Sequence, residues 1–365
     1  VNCSAVCKRW LSIINSVHFR NKKLQRHQSQ SQPLPCTFLF RNHGNGDSIS
    51  IPFYEYFTEE SKILHRNDTS SSSYLDFLPW EKVRIHSSFN DLLLLSRWYE
   101  YGRHFMICNP FTKQWIELPQ PHIHVCASIE TGGAGLFCEP IKPPPPQQQQ
   151  HPLKLDLYRY KVMIMCHWCH HENGEVEFCA LTYCSEIGTW RESTFSLHQR
   201  TLNSNTPVAC NGLLYWLVGS TEEETVDGIF AFDPSKLTDH NPSYGQFVNF
   251  PSGLLQGKWC SYDINVRLGL VQGRLRLSQL HITKRNGFVL KIWELNYGNN
   301  FNYDNSSDGD GSSRVWTLVH DVRVKKWIDK RQHVIAFHPE NGNVIFLLFN
   351  CRHIYQYDIG EEMMK

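Results

Sequence analysis

The chain has 365 residues, of which 41% are hydrophobic and 13% aromatic, so it can bury one large core and still carry a small appendage. Its 36 Lys and Arg residues offset 35 Asp and Glu residues, which leaves a formal net charge of +1. No broad basic field is available to attract nucleic acid or an anionic membrane surface. We therefore expect neither nucleic acid nor membrane among its partners.

The 13 cysteines are spread through short apolar runs, and the sequence shows no signal peptide with a charged start and an apolar core. The longest apolar runs, at 92–95 and 344–349, are far shorter than the roughly 20 residues of helix that cross a bilayer. These features predict a reduced protein of the cytoplasm or nucleus without a membrane span.

The first 17 residues have helical periodicity. Cys3, Val6, Trp10 and Ile13 recur at spacings of three and four, which places them on one face of a helix. Because the helical pattern already begins at residue 1, we expect the natural protein to have further residues before Val1. A basic stretch and a Gln/Ser-rich stretch with two prolines then break the pattern, as a linker does. We predict a helical unit and linker over residues 1–35 and a second domain over 36–365.

From residue 37 onward, short runs of β-branched and aromatic residues alternate with Gly, Pro, Asn, Asp and Ser. The order of motifs at 92–95, 108–110 and 114–119 resembles that at 212–216, 232–234 and 247–251. Repeats of about 40 to 50 residues with several strands each are typical of propeller blades. The sequence therefore predicts an all-β propeller of about five to six blades.

Two segments are predicted to be exposed loops that cannot build a core. One is the Pro/Gln run at 143–150, and the other is the Asn/Ser/Asp/Gly run at 299–313.

A metal site is the first alternative that the sequence raises. Cys166 and Cys169 lie close to His167, His170 and His171, and thiolates with nearby imidazoles are zinc ligands. If the strand before them continues, however, the two cysteines project to opposite faces, and no second paired cluster follows. We favour free thiols and predict neither a metal nor another cofactor.

Catalysis is the second alternative. Glu222, Glu223 and Glu224 follow a predicted strand, and a carboxylate pair serves acid/base catalysis in propeller glycosidases. Adjacent acids in a turn are far more often a solvated loop. The chain also lacks a nucleophile elbow, a phosphate-binding loop and a dinucleotide fingerprint. We therefore predict no catalytic residues.

The predicted strand order suggests which face of the propeller binds a partner. Strands alternate direction within a blade, so loops from second to third strands and loops between blades emerge on the same face. Large aromatic residues in these loops would bury much area at a small cost in side-chain entropy. The alternative is that several of the rings fold inward and cap the blades. The predicted substrate-binding residues are Trp98, Tyr99, Tyr101, His104, Trp168, Trp259, Tyr262 and Trp327.

The N-terminal segment Ser4–Ser16, with its Val-Cys-Lys-x-Trp core, resembles the second half of an F-box. The downstream repeats, with Cys-Asn-Pro at 108–110 and Phe-Asp-Pro at 232–234, resemble the F-box-associated, kelch-like propeller of plant F-box proteins. This resemblance implies a non-catalytic substrate receptor of a cullin-type ubiquitin ligase. The F-box would bind a SKP-family adaptor, and through it a cullin, while the propeller binds a target protein. The residues that this assigns to adaptor binding are Val6, Cys7, Trp10, Leu11 and Ile14.

Two other functions remain open at the level of the sequence. One is a kelch-type propeller enzyme, such as an oxidase or a glycan-processing enzyme, and the other is an interaction scaffold unconnected to ubiquitin. An enzyme would show convergent titratable groups at the propeller axis, whereas a receptor would show an aromatic and polar surface.

Overall fold

The computed structural model of the chain is all-β in its described part, with 24 strands and no helix. Among these residues there is accordingly no helix long and apolar enough to cross a membrane. The predicted N-terminal helix lies outside the described residues. The structure describes residues 37–42, 53–58, 64–65, 75–80, 83–89, 92–99, 102–110, 112–121, 131–140, 158–170, 175–198, 200–202, 207–220, 225–234, 245–255, 264–283, 287–296, 315–324, 332–349 and 353–364.

A small sheet comes first in the chain. Its strands β1 (Thr37–Asn42), β2 (Phe53–Thr58) and β3 (Leu64–His65) pair antiparallel in sequence order.

Five antiparallel meanders follow, and we number them as blades 1 to 5 in chain order. Within each blade the strands pair in sequence order, and only blade 3 has its first strand in two pieces, β12 and β13, which both pair with β14. The strands are β4 (Arg84–Phe89), β5 (Leu92–Tyr99), β6 (Gly102–Asn109) and β7 (Gln114–Glu117) in blade 1; β8 (Thr131–Pro140), β9 (Tyr158–His170), β10 (Glu175–Cys184) and β11 (Thr189–His198) in blade 2; β12 (Arg200–Leu202), β13 (Val208–Cys210), β14 (Leu213–Ser220), β15 (Val226–Phe232) and β16 (Gly245–Asn249) in blade 3; β17 (Ile264–Val271), β18 (Arg274–Ile282), β19 (Phe288–Asn296) and β20 (Val315–Val324) in blade 4; and β21 (Gln332–Phe337), β22 (Val344–Phe349), β23 (His353–Asp358) and β24 (Met363–Met364) in blade 5.

The blades are arranged around an axis, with the first strand of each blade innermost. Neighbouring blades meet through these first strands: β4 contacts β8, β8 contacts β13, β13 contacts β17, and β17 contacts β21. Radial repetition of four-stranded meanders defines a β-propeller. The predicted all-β propeller of five to six blades is confirmed, with five blades.

The core lies between the blades, because the strands bury side chains on both faces. In β14, Leu214, Trp216 and Val218 pack toward blade 2, whereas Tyr215 and Leu217 pack toward blade 4. Successive side chains of a strand point to opposite faces, so a strand buried on both sides needs an unbroken apolar run. This requirement explains the continuous hydrophobicity of Leu213–Val218.

Two-residue turns close the first hairpins of blades 3 and 4. Asn211 and Gly212 have φ of 48° and 79°, and Gln272 and Gly273 have φ of 49° and 75°. Positive φ at both positions is the condition of a type I′ turn, whose twist matches that of the flanking strands.

Tryptophans at equivalent positions connect the outer edges of two blade pairs. Trp190 of blade 2 donates from Nε1 to the carbonyl oxygen of Pro119 at 2.6 Å, and Trp316 of blade 4 donates to that of Asn249 at 2.9 Å. Each is the second residue of its outermost strand and bonds to the end of the preceding blade. Trp115 has the same register position in blade 1, but its side chain is 38% exposed.

Candidate protein-interaction face

The strand directions divide the propeller into two faces. In each blade the first and third strands begin, and the second and fourth end, at the same face. We call it the connector face, because the connections between successive blades attach there. The Pro/Gln run at 143–150 falls between β8 and β9, and the run at 299–313 falls between β19 and β20, which are connections of the opposite face.

Four of the predicted substrate-binding residues lie on described strands near the connector face, but not all where the sequence predicted them. Trp98 and Tyr99 are the last residues of β5. His104 and Trp168 were predicted in turns, whereas the structure places them within β6 and β9, because both strands extend further than their apolar cores. The remaining four lie outside the described residues, as do the predicted adaptor-binding residues. They are Tyr101, Trp259, Tyr262 and Trp327 in the first group, and Val6, Cys7, Trp10, Leu11 and Ile14 in the second.

His104 is engaged by its own blade. Its Nδ1 lies 3.1 Å from Oε1 of Glu117, which is the last residue of the outer strand β7. The two side chains are partly exposed, so the pair lies at the surface. His104 therefore presents an imidazole whose orientation Glu117 fixes.

A buried glutamine fixes the start of the connection from blade 3 to blade 4, which carries Trp259 and Tyr262. Gln279 of β18 is fully buried, accepts a hydrogen bond from the Leu255 amide at 3.0 Å and donates to the Leu255 carbonyl oxygen at 2.6 Å. The amide of Leu254 also donates to the Pro251 carbonyl oxygen at 3.2 Å. Sequence reasoning missed Gln279, because nothing in its neighbourhood marks a glutamine as buried.

The connector-face end of blade 1 holds an arginine against a tryptophan. The guanidinium carbon of Arg97 lies 4.5 Å from the centroid of the Trp80 ring. Trp80 itself packs with Leu75 and Leu78 on the face of blade 1 that points away from blade 2. This cation–π contact places a cationic planar group directly before Trp98.

Two further ion pairs lie toward this face. Nε of Arg200 lies 3.1 Å from Oδ2 of Asp227, and its guanidinium is 4.1 Å from the centroid of Phe247. Nζ of Lys291 lies 3.8 Å from Oδ2 of Asp321. The described part of the face thus combines aromatic strand ends with oriented charged groups, a composition that suits protein recognition.

Titratable groups with shifted pKa values are dispersed over the described residues. Burial raises the pKa of Cys108 and of Cys138 to about 12, which keeps both thiols protonated and unreactive at neutral pH. Burial also lowers the pKa of His281, His320 and His333, which lie on different strands of blades 4 and 5. These groups do not converge on one point as the acid and base of an enzyme do.

Metal binding finds no support within the described ranges. They contain no group of three or more His, Cys, Asp and Glu side chains arranged to hold a metal ion. Cys166 and Cys169 both belong to β9, which runs on to His170. Glu222, Glu223 and Glu224 lie outside the described residues.

Comparison with known proteins identifies the domain. The family model described as "F-box protein At3g26010-like, beta-propeller" matches residues 64–355, which include blades 1 to 4 and blade 5 as far as Tyr355, within β23. No curated protein matches the sequence.

Proposed function

Because the chain belongs to the family of F-box protein At3g26010-like β-propellers, we propose that it is the substrate-recognition subunit of a SKP–cullin–F-box ubiquitin ligase. The match over residues 64–355 is the observation that carries this proposal. The five-bladed fold supports it, because a rigid propeller presents many loop positions to a large ligand.

The connector face is the proposed target-binding surface. Two of its aromatic residues, Trp98 and Tyr99, end a strand, and the hydrogen bonds from Gln279 fix the approach to Trp259 and Tyr262. Aromatic residues held on a rigid scaffold supply most of the binding free energy at protein interfaces.

The receptor itself performs no reaction in this proposal. It binds the target, while the cullin-associated enzymes transfer ubiquitin to a lysine of that target. The cytoplasm or the nucleus is the proposed location, since both hold reduced thiols.

The segment at 1–35 is the proposed adaptor-binding unit. Val6, Cys7, Trp10, Leu11 and Ile14 form one apolar stripe by their helical spacing. A SKP-family adaptor would bury this stripe, as apolar helix faces in protein interfaces are buried.

Affinity purification of the full chain from cells, followed by identification of the bound proteins, tests the proposal. We expect a SKP-family adaptor and a cullin to co-purify. Changing Trp10 to Ala should weaken adaptor recovery by about tenfold or more, since a buried aromatic anchor often contributes about 2 kcal/mol. Lys8→Ala is the matched control, because Lys8 lies on the polar face of the predicted helix, opposite the apolar stripe. This variant should retain the adaptor.

Recovery of target proteins without adaptor or cullin would contradict the ligase assignment and support a scaffold. Equal adaptor recovery with Trp10→Ala would show that the apolar stripe does not bind the adaptor.

A further inference from the structure

The outermost strand of each blade has one edge that no other described strand of its sheet covers. Such an edge presents backbone N–H and C=O groups that can pair with another chain, and proteins normally protect it. Three of the five outermost strands are short, since β7 has four residues, β16 has five and β24 has two. The ten-residue β11 is long, but its exposed side chains are polar where the structure describes them. They are Thr189, Arg191, Glu192, Thr194 and Ser196.

The outermost strand of blade 4, β20, lacks this protection in its first half. It is ten residues long, and among the described strands it pairs only with β19. Val315 is 53% exposed and Leu318 is 46% exposed, so two large apolar side chains face water on this outer strand. The charged residues Asp321 and Arg323 lie in its second half. An exposed apolar edge of this kind favours pairing with a further strand.

A β-bulge separates the two halves of β20. The ladder with β19 shifts between Leu318 and His320, which leaves Val319 as the extra residue. A bulge bends and twists its strand, and it therefore interrupts further pairing along the edge. The segment that is open to another strand is accordingly 315–319, which contains no charged side chain.

This open segment is held in place by its own chain. Trp316 donates from Nε1 to the Asn249 carbonyl oxygen of blade 3 at 2.9 Å. Oγ1 of Thr317 accepts a hydrogen bond from Nδ2 of Asn296 at 2.6 Å. A strand that is already ordered loses little conformational entropy when it pairs, and this favours association.

We infer that two copies of the chain associate through residues 315–319, paired antiparallel about a two-fold axis at Thr317. Every copy carries the same open segment, and antiparallel pairing of identical segments forms a self-complementary, closed contact. Apolar and Thr–Thr pairs across neighbouring strands stabilise a sheet. The cross-strand pairs in this register are Val315 with Val319, Trp316 with Leu318, and Thr317 with its counterpart in the second copy.

The position of the open segment keeps this contact away from the proposed target-binding surface. As the fourth strand of its blade, β20 begins at the face opposite the connector face, and 315–319 is its first half. Two copies joined there present two connector faces. A target with two recognition segments is then held with higher avidity than by a single copy.

Sedimentation velocity of the purified full chain at increasing protein concentration tests the inference. We expect a reversible monomer–dimer equilibrium without larger species, because a two-fold contact closes. Changing Val315 and Leu318 together to Lys should raise the dissociation constant about tenfold or more, since lysine on an edge strand opposes pairing. Ile187→Lys is the matched control and should dimerise like the wild type. Ile187 is also 53% exposed, but it lies in the turn between β10 and β11.

Hydrogen–deuterium exchange of the wild type gives a second measurement that needs no variant. The amides of 315–319 should exchange more slowly at concentrations where the dimer prevails, because pairing gives outward N–H groups an acceptor, whereas the amides of β11 should not change.

A wild-type chain that stays monomeric up to about 1 mM would overturn the inference. A dimer that survives both lysine substitutions, or concentration-dependent protection that arises elsewhere than at 315–319, would overturn it as well. Neither measurement contains an adaptor or a target. A monomeric chain therefore leaves the ligase proposal intact, and a failure to bind the adaptor leaves the dimer intact.

Discussion

Arg276 donates from Nε to Oε2 of Glu294 at 3.0 Å, and its Nη1 also donates to the Gly342 carbonyl oxygen of blade 5 at 2.8 Å. An ion pair within blade 4 thereby holds the first turn of the next blade. Arg274 donates to the other oxygen of Glu294 at 2.7 Å, so the carboxylate is bound on both sides. The side chains of Arg276 and Glu294 are 11% and 9% exposed, which makes this a buried pair.

Glu294→Gln should therefore lower the free energy of unfolding by about 3 kcal/mol, because it leaves Arg276 buried without its counter-charge. Denaturant unfolding at neutral pH measures the change. The matched control is Glu186→Gln, which breaks the exposed pair of Glu186 with Arg159 (3.1 Å) and should cost less than about 1 kcal/mol. Equal effects of the two changes would contradict a structural role for the buried pair.

Stability should fall as the pH is lowered from about 7.5 to 5.5. Burial is the main cause that lowers the pKa of His281, His320 and His333, so the folded chain resists protons that the unfolded chain takes up below about pH 6.5. The contribution is fully lost only below the folded-state pKa values. Denaturant titrations at several pH values measure it, and replacing His333 with Asn should flatten the slope. A stability that rises on acidification over this range would refute the assignment.

Trp190→Phe should lower the free energy of unfolding by about 1 kcal/mol, because it removes the indole donor to the Pro119 carbonyl oxygen and keeps most of the ring. Trp115→Phe is the control at the equivalent position of blade 1, where no described acceptor meets the indole, and it should have almost no effect. Thermal unfolding of both variants tests the expectation. A larger loss with Trp115→Phe would mean that the seam hydrogen bond is not the stabilising element.

Gln279→Met should release the connection that follows blade 3. Both hydrogen bonds to Leu255 are lost, and each contributes about 0.5–1.5 kcal/mol to the stability of this connection. Hydrogen–deuterium exchange should become faster at residues 251–255. Asn296→Ala removes an exposed hydrogen bond to Thr317 in the same blade, and this control should leave their exchange unchanged. Unaltered exchange in Gln279→Met would show that the connection is held by other contacts.

Alanine substitutions at Trp98, Tyr101, Trp259 and Trp327 should weaken target capture without loss of fold or adaptor binding, because aromatic residues dominate binding at protein interfaces. Deletion of residues 143–150, which attach at the opposite face, is the control and should have little effect. Co-purification of the target measures both. Loss of capture by the deletion alone would assign recognition to the opposite face.

The fold class can be predicted from the amino-acid sequence alone, because the signals for strands and turns are local. The unbroken apolar run Leu213–Val218 and the Asn-Gly turn before it predict a strand and a hairpin from neighbouring residues alone. Repetition of such units then predicts a propeller. The ends of strands are harder to predict from the sequence. Strand β9 extends to His170, beyond the apolar core at 161–166, because its pairing with β10 continues through polar residues.

The polar contacts between blades, in contrast, become visible in the three-dimensional structure and not in the sequence. Arg276 and Gly342 are 66 residues apart, and Trp190 and Pro119 are 71 apart, so no local pattern relates them. The stacking of one blade on the next sets these distances, and with them whether a charge is buried and paired or exposed, since the cost of burying a charge depends on its surroundings and not on its residue type.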